Sequence, residues 1–139
     1  MNKSLIKVFN IYIFAFAFLF ASRPINDAYF WFHLKIGQYF FTTGGVPRME
    51  MFSFTYHGIP WIAHGWLSGV IFYAVYSFAG LKPLIFIFAL LVAIAFWIAF
   101  KRANSHPFFA GVAVLLAVWT AMPNIGVRPR VFTILFASI

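Results

Sequence analysis

Five apolar runs, each bounded by glycine, proline, serine or a basic residue, constrain this chain more than any other feature. They cover residues 5–21, 61–79, 84–100, 107–122 and 131–139. A bilayer core is about 30 Å thick, and a helix needs about 20 apolar residues to cross it. The first four runs approach that length, and the last, at nine residues, does not. Only 9% of the residues are charged and 64% are hydrophobic, whereas a soluble domain averages about 25% charged residues. The pattern predicts an all-α, polytopic transmembrane protein, a single membrane domain over residues 1–139. It would have about four full spans and a truncated fifth. Because the chain stops inside an apolar run, it reads as part of a longer polytopic protein. A short interfacial end segment is the plainer alternative.

Ten Lys and Arg face only two acids, for a net charge of +8. In a soluble protein that balance points to nucleic acid. Here the basic residues flank apolar runs, where they meet headgroups and snorkel. The partner implied is therefore the lipid bilayer, and nucleic acid is excluded. There is no Cys, which removes disulfides and thiolate metal sites. Lys3 and Lys7 precede the first run, and a retained first helix fits better than a signal peptide. The positive-inside rule then favours a cytoplasmic N-terminus. Lys82, Arg128 and Arg130 fall on the same side, and Arg23, Lys35, Arg48, Lys101 and Arg102 on the other. The charge count is balanced, so the first helix decides.

Residues 22–60 form the one long polar-containing connection, placed as the first outer loop. Asn26 or Asp27 is suited to cap a helix reaching about Thr43. At 100° per residue, Asp27, Trp31, Lys35, Gln38 and Thr42 share one stripe, with Tyr29, Phe32, Ile36 and Phe40 opposite. This is an amphipathic helix expected to lie against the membrane or the spans. Gly44-Gly45 ends it and Pro47 stops its resumption. Met51–Tyr56 is aromatic-rich with no assigned structure, and Gly58 and Pro60 make a turn. Trp61 and Trp66 open the second run as an interface belt would. Gly65 and Gly69 form a G-x-x-x-G that lets a neighbouring helix approach closely.

Chemistry-bearing residues concentrate between Asp27 and Gly69. Asp27 could act as a general base or help bind a metal on an anionic substrate. It could equally be a plain helix N-cap. His33, His57 and His64 lie in the same region as Glu50. Their spacing fits no zinc motif, and Asp27 and His33 lie about 120° apart on a regular helix. No metal-ligand set is assigned, although a divalent metal is compatible with the acids. Arg128-Pro129-Arg130 is a rigid basic pair suited to a lipid phosphate, or to ordinary headgroup anchoring. No phosphate-binding loop, serine-nucleophile elbow or dinucleotide fingerprint is present.

One longer pattern carries a resemblance. It runs Asp27…Trp31-Phe32-His33-Leu34-Lys35-x-Gly37, Gly45-Val46-Pro47, Phe52-Ser53-Phe54-Thr55 and Gly58-x-Pro60-Trp61-x-x-His64-x-Trp66-Leu67-Ser68. It resembles the N-terminal part of GT-C class integral-membrane glycosyltransferases, in the protein-mannosyltransferase and aminoarabinose-transferase-like group and its uncharacterised bacterial branch. Arg128-Pro129-Arg130-Val131-Phe132-Thr133 resembles a later Arg-Pro-x-x-Phe-Thr segment. The likeness covers residues 22–80 well and the rest loosely. It implies transfer of a sugar from a polyprenyl-phosphate donor on the non-cytoplasmic face of a bacterial inner (plasma) membrane. Asp27 matches the acid of the first outer loop. The candidate catalytic set is Asp27, Glu50, His33 and His64. The candidate substrate-binding set is Lys35, Trp31, Trp61, Arg128 and Arg130.

The sequence departs from that pattern at Tyr29, where a second Asp is expected, and at Glu50, where Asp is. Gly65 and Gly69 stand where Glu is expected, which leaves the second run without a carboxylate. The rival reading is a non-catalytic membrane subunit or scaffold, with helix packing through Gly65 and Gly69. A transporter would place polar groups at mid-membrane, and the runs from Trp61 onward carry almost none.

Overall fold

The computed structural model describes residues 3–139, except for the side chains of Lys3 and Leu5. The Lys3 charge used for topology and the Leu5 start of the first run therefore lie outside the described side chains. Six helices form among the described residues: α1 (Lys3–Ala21), α2 (Ala28–Thr43), α3 (Trp66–Ala79), α4 (Leu81–Arg102), α5 (Pro107–Ala121) and α6 (Arg130–Ser138). Apart from one isolated antiparallel bridge, Met49 to Pro60, no strand pairing occurs among these residues.

The all-α class holds, but the expectation of four full spans and a truncated fifth is overturned. Among the described residues only α4, with 22 residues, is long and apolar enough to cross a membrane. The reason is geometric. α3 has 14 residues and α5 has 15, and at about 1.5 Å rise per residue each reaches only about 22 Å. α6, with nine residues, reaches about 14 Å. The run read as starting at Trp61 loses its first five residues to a loop, because Gly65 takes a left-handed conformation (φ 74°) and the helix begins only at Trp66. The described apolar part of α1, Ile6–Ala21, also falls short of a span.

The chain divides into two compact units. The first comprises residues 1–25 and 85–139, the second residues 26–84. In the first, α1 packs on α5. Gly111 is the point of closest approach, since a Cβ there would sit against the ring of Phe9. A polar clasp joins α1 to α4: Trp97 Nε1 donates to Asn10 Oδ1 at 2.8 Å, and Asn10 Nδ2 donates to the Ile6 carbonyl at 2.7 Å. Ile13, Ala17, Phe88, Val92 and Val118 are fully buried around these contacts.

The second unit is built on α2 and α3, which run antiparallel. Phe30 lies near Phe72, Gly37 meets Gly69, and Phe40 stacks on Trp66. The expected start of α2 is met, because Asp27 is its N-cap and accepts a hydrogen bond from Tyr29 N at 3.1 Å. Gly44, at φ 71°, supplies the left-handed C-cap. The buried stripe is rotated from the expected one. It consists of Phe30, His33, Leu34, Ile36 and Gly37, while Tyr29 is exposed. The face of α2 is set by packing against α3 rather than by hydrophobicity alone.

Candidate functional site

Between α2 and α3, residues 44–65 fold back on themselves. Arg48–Glu50 lies beside Ile59–Trp61. Trp61 N donates to the Arg48 carbonyl at 2.8 Å, Glu50 N to the Ile59 carbonyl at 2.9 Å, and Gly58 N to the Glu50 carbonyl at 2.7 Å. The arms are pinned to α2 by aromatic contacts. Phe32 meets Phe52 and Trp61 edge-on, each at 5.4 Å between centroids.

The base of this loop and the start of α3 enclose an open groove of about 650 Å³. Val46, Pro47, Arg48, Trp61, Ala63 and Trp66 are among its walls. Trp66 is held from behind by Phe40, with centroids 5.8 Å apart and planes at 29°. Trp61 is held by Phe32. The groove is therefore lined by two braced Trp residues and by Arg48, with no Asp or Glu among its lining residues. Aromatic faces, apolar walls and one Arg suit a ligand with a ring or chain body and an anionic group. A ligand pocket of this kind typically spans 300–1,000 Å³.

The structure does not gather the sequence-predicted residues of this unit into one place. Asp27 caps α2. His33 is buried between α2 and α3, where its Nδ1 donates to the Tyr29 carbonyl at 2.7 Å and its ring lies near Phe72. Glu50 turns its carboxylate onto its own loop, with Oε1 accepting from Phe52 N at 2.8 Å and Ser53 N at 2.9 Å. His64 is exposed in the loop ahead of α3. Lys35 bonds Gln38 on the outer side of α2 at 3.0 Å. Trp31 is exposed and edge-on to Phe30. Of the predicted set in this unit, Trp61 alone lines the groove. Among the described residues, no three of His, Asp and Glu converge as a metal site.

Arg128 and Arg130 belong to the first unit, Arg128 in the turn after α5 and Arg130 as the first residue of α6. Arg130 Nη1 donates to Asn124 Oδ1, and Arg23 Nη2 reaches the Met122 carbonyl of the same turn. Arg48 entered the sequence reading only as a topology charge, Val46 and Pro47 as part of the family-like pattern, and Pro47 also as a helix stop. The two prolines flanking an Arg-x-Glu and a Gly-Ile were the signal for two extended arms. Trp66 completes the groove; the sequence reading had it as a belt residue and as part of the family-like pattern, not as a groove wall.

No protein-family model, curated protein or solved structure matches the chain.

Proposed function

We propose that this chain is the donor-binding part of a membrane glycosyltransferase similar to the GT-C class, and that its groove holds the phosphate-linked sugar of a polyprenyl carrier. The groove carries this reading: Trp61 and Trp66 offer faces for a sugar ring, and Arg48 offers a fork for a phosphate. The sequence resemblance supplies the donor class. α4 meets the length and composition needed to anchor such a protein in a bilayer. The bacterial inner membrane, with the groove on the non-cytoplasmic side, is the location that the resemblance implies.

A non-catalytic subunit is the second reading, and one observation favours it. Asp27 and Glu50 both spend carboxylate oxygens on backbone N–H groups, and neither lines the groove. Transfer would require a carboxylate brought to the bound donor from elsewhere in a longer protein.

Titration of the purified chain with a short-chain polyprenyl-phosphate hexose, followed by tryptophan fluorescence, tests the binding step. Saturable binding is expected, weakened by roughly tenfold or more in Arg48→Ala through loss of a charge-assisted hydrogen bond. Absence of binding, or binding that Arg48→Ala leaves intact, removes the groove as the donor site.

A further inference from the structure

Within the first unit, α1 and α4 pair antiparallel. Trp97 bonds Asn10, Phe18 meets Phe86 edge-on with centroids 5.4 Å apart, and Ile6 lines one small cavity with Phe100 and Lys101. Lys7, near the start of α1, and Lys101, near the end of α4, therefore come to the same end of the pair. The charge pattern alone assigns them to opposite sides of a membrane.

Next to that end lies an open groove of about 350 Å³, walled by Asn10, Ile11, Phe14, Ala15 and Trp97. Asn10, its one polar wall besides the indole N–H, is spent on Trp97 Nε1 and on the Ile6 carbonyl. Ile11 is 68% exposed. The trough is thus apolar along its length.

Charge at one end of the groove bears on its occupant. Lys101 Nζ lies over the Trp97 ring, 5.5 Å from its centroid, so this ammonium stands against a groove wall. Lys7 precedes Ile11, Phe14 and Ala15 at i, i+4, i+7 and i+8, which puts it on the same stripe of α1. Both lysines are exposed. The unit that holds them, residues 1–25 and 85–139, contains no Asp or Glu. The two ammonium groups are therefore not balanced by any acid of their own unit. An apolar trough with cations at one end complements an amphiphile with an anionic head and a hydrocarbon body.

We propose that the α1–α4 groove holds one lipid with a net-anionic phosphate headgroup. Its phosphate meets Lys7 and Lys101, and one acyl chain lies along Ile11, Phe14, Ala15 and Trp97. The proposal is independent of the sugar-donor reading, whose groove lies in the other unit.

The delipidated full chain in detergent would be titrated with phosphatidylglycerol and with phosphatidylcholine, and bound lipid counted by native mass spectrometry. One phosphatidylglycerol per chain is expected, held roughly tenfold tighter than phosphatidylcholine. Lys7→Gln with Lys101→Gln should erase that preference, and Ile11→Ser should weaken both lipids. Arg23→Gln with Lys82→Gln removes the same charge and should leave the preference intact. Equal retention of the two lipids, or a preference that survives the Lys7 and Lys101 changes, overturns the headgroup contact. A preference lost equally with Arg23 and Lys82 shows only bulk charge and also overturns it. Displacement by inorganic phosphate at matched concentration overturns the lipid as ligand. A lipid-free dimer that Ile11→Ser dissociates overturns it in favour of a second copy.

Discussion

Gly37 and Gly69 meet backbone to backbone where α2 crosses α3. A Cβ on Gly37 would lie inside the contact sphere of the Gly69 carbonyl oxygen and 2.6 Å from Tyr73 Cβ, and one on Gly69 would lie 3.3 Å from Gly37 N. Neither partner is the flexible end of a side chain, so the helices themselves would have to separate. In an open helix position, Gly→Ala usually stabilises by about 1 kcal/mol through propensity. Here the sign reverses. Gly37→Ala and Gly69→Ala should each lower stability by about 1–3 kcal/mol through overpacking, read as an earlier midpoint in denaturant. An unchanged or later midpoint would show that the crossing is looser than described.

Asp27 and its helix give a second expectation. The carboxylate accepts from Tyr29 N at the start of α2, and Asn caps as well as Asp. Asp27→Asn should therefore keep the Tyr29 amide protected from exchange, while Asp27→Ala should lose that protection at a cost of about 1 kcal/mol from the missing cap. Because Asp27 does not line the groove, donor binding should be unchanged in both once folded protein is compared. A selective loss of binding in Asp27→Asn would put the carboxylate at the ligand.

Glu50 supports the loop that walls the groove. Glu50→Ala leaves the N–H groups of Phe52 and Ser53 without their acceptor, a loss of about 1–3 kcal/mol where such groups are shielded. Amide exchange at Phe52 and Ser53 should quicken markedly, while exchange within α2 and α3 stays slow. Glu50→Gln keeps an amide oxygen and should retain much of the protection. Equal exchange in Glu50→Ala and the parent would remove the role assigned to this side chain.

Much of the helical order was legible in the sequence, because Gly, Pro and capping residues mark its ends. Asp27 and Gly44-Gly45 bracketed α2 correctly, and Lys101-Arg102 ended α4. The membrane reading failed where apolar composition was equated with span length. Gly65 cuts five residues from the third helix, and α5 and α6 are too short. The buried stripe of α2 was also misread, because the Gly37–Gly69 contact sets the phase and a glycine carries no hydrophobic signal. The groove was illegible for a different reason. Its arms hold a single bridge and no alternating pattern, and Arg48 looks in sequence like any interfacial base.

The groove is the central claim, and covalent mapping of its occupant tests it most directly. A polyprenyl-phosphate hexose carrying a photoreactive diazirine on its first isoprene unit would be bound to the chain, irradiated, and the adducts located by peptide mass spectrometry. The account predicts adducts on the arms and helix start that wall the groove, within residues 46–48 and 60–66, and their loss when unlabelled donor competes. Competed adducts confined to the Arg128–Arg130 segment or to the start of α2, with none on Arg48, Trp61 or Trp66, would contradict it.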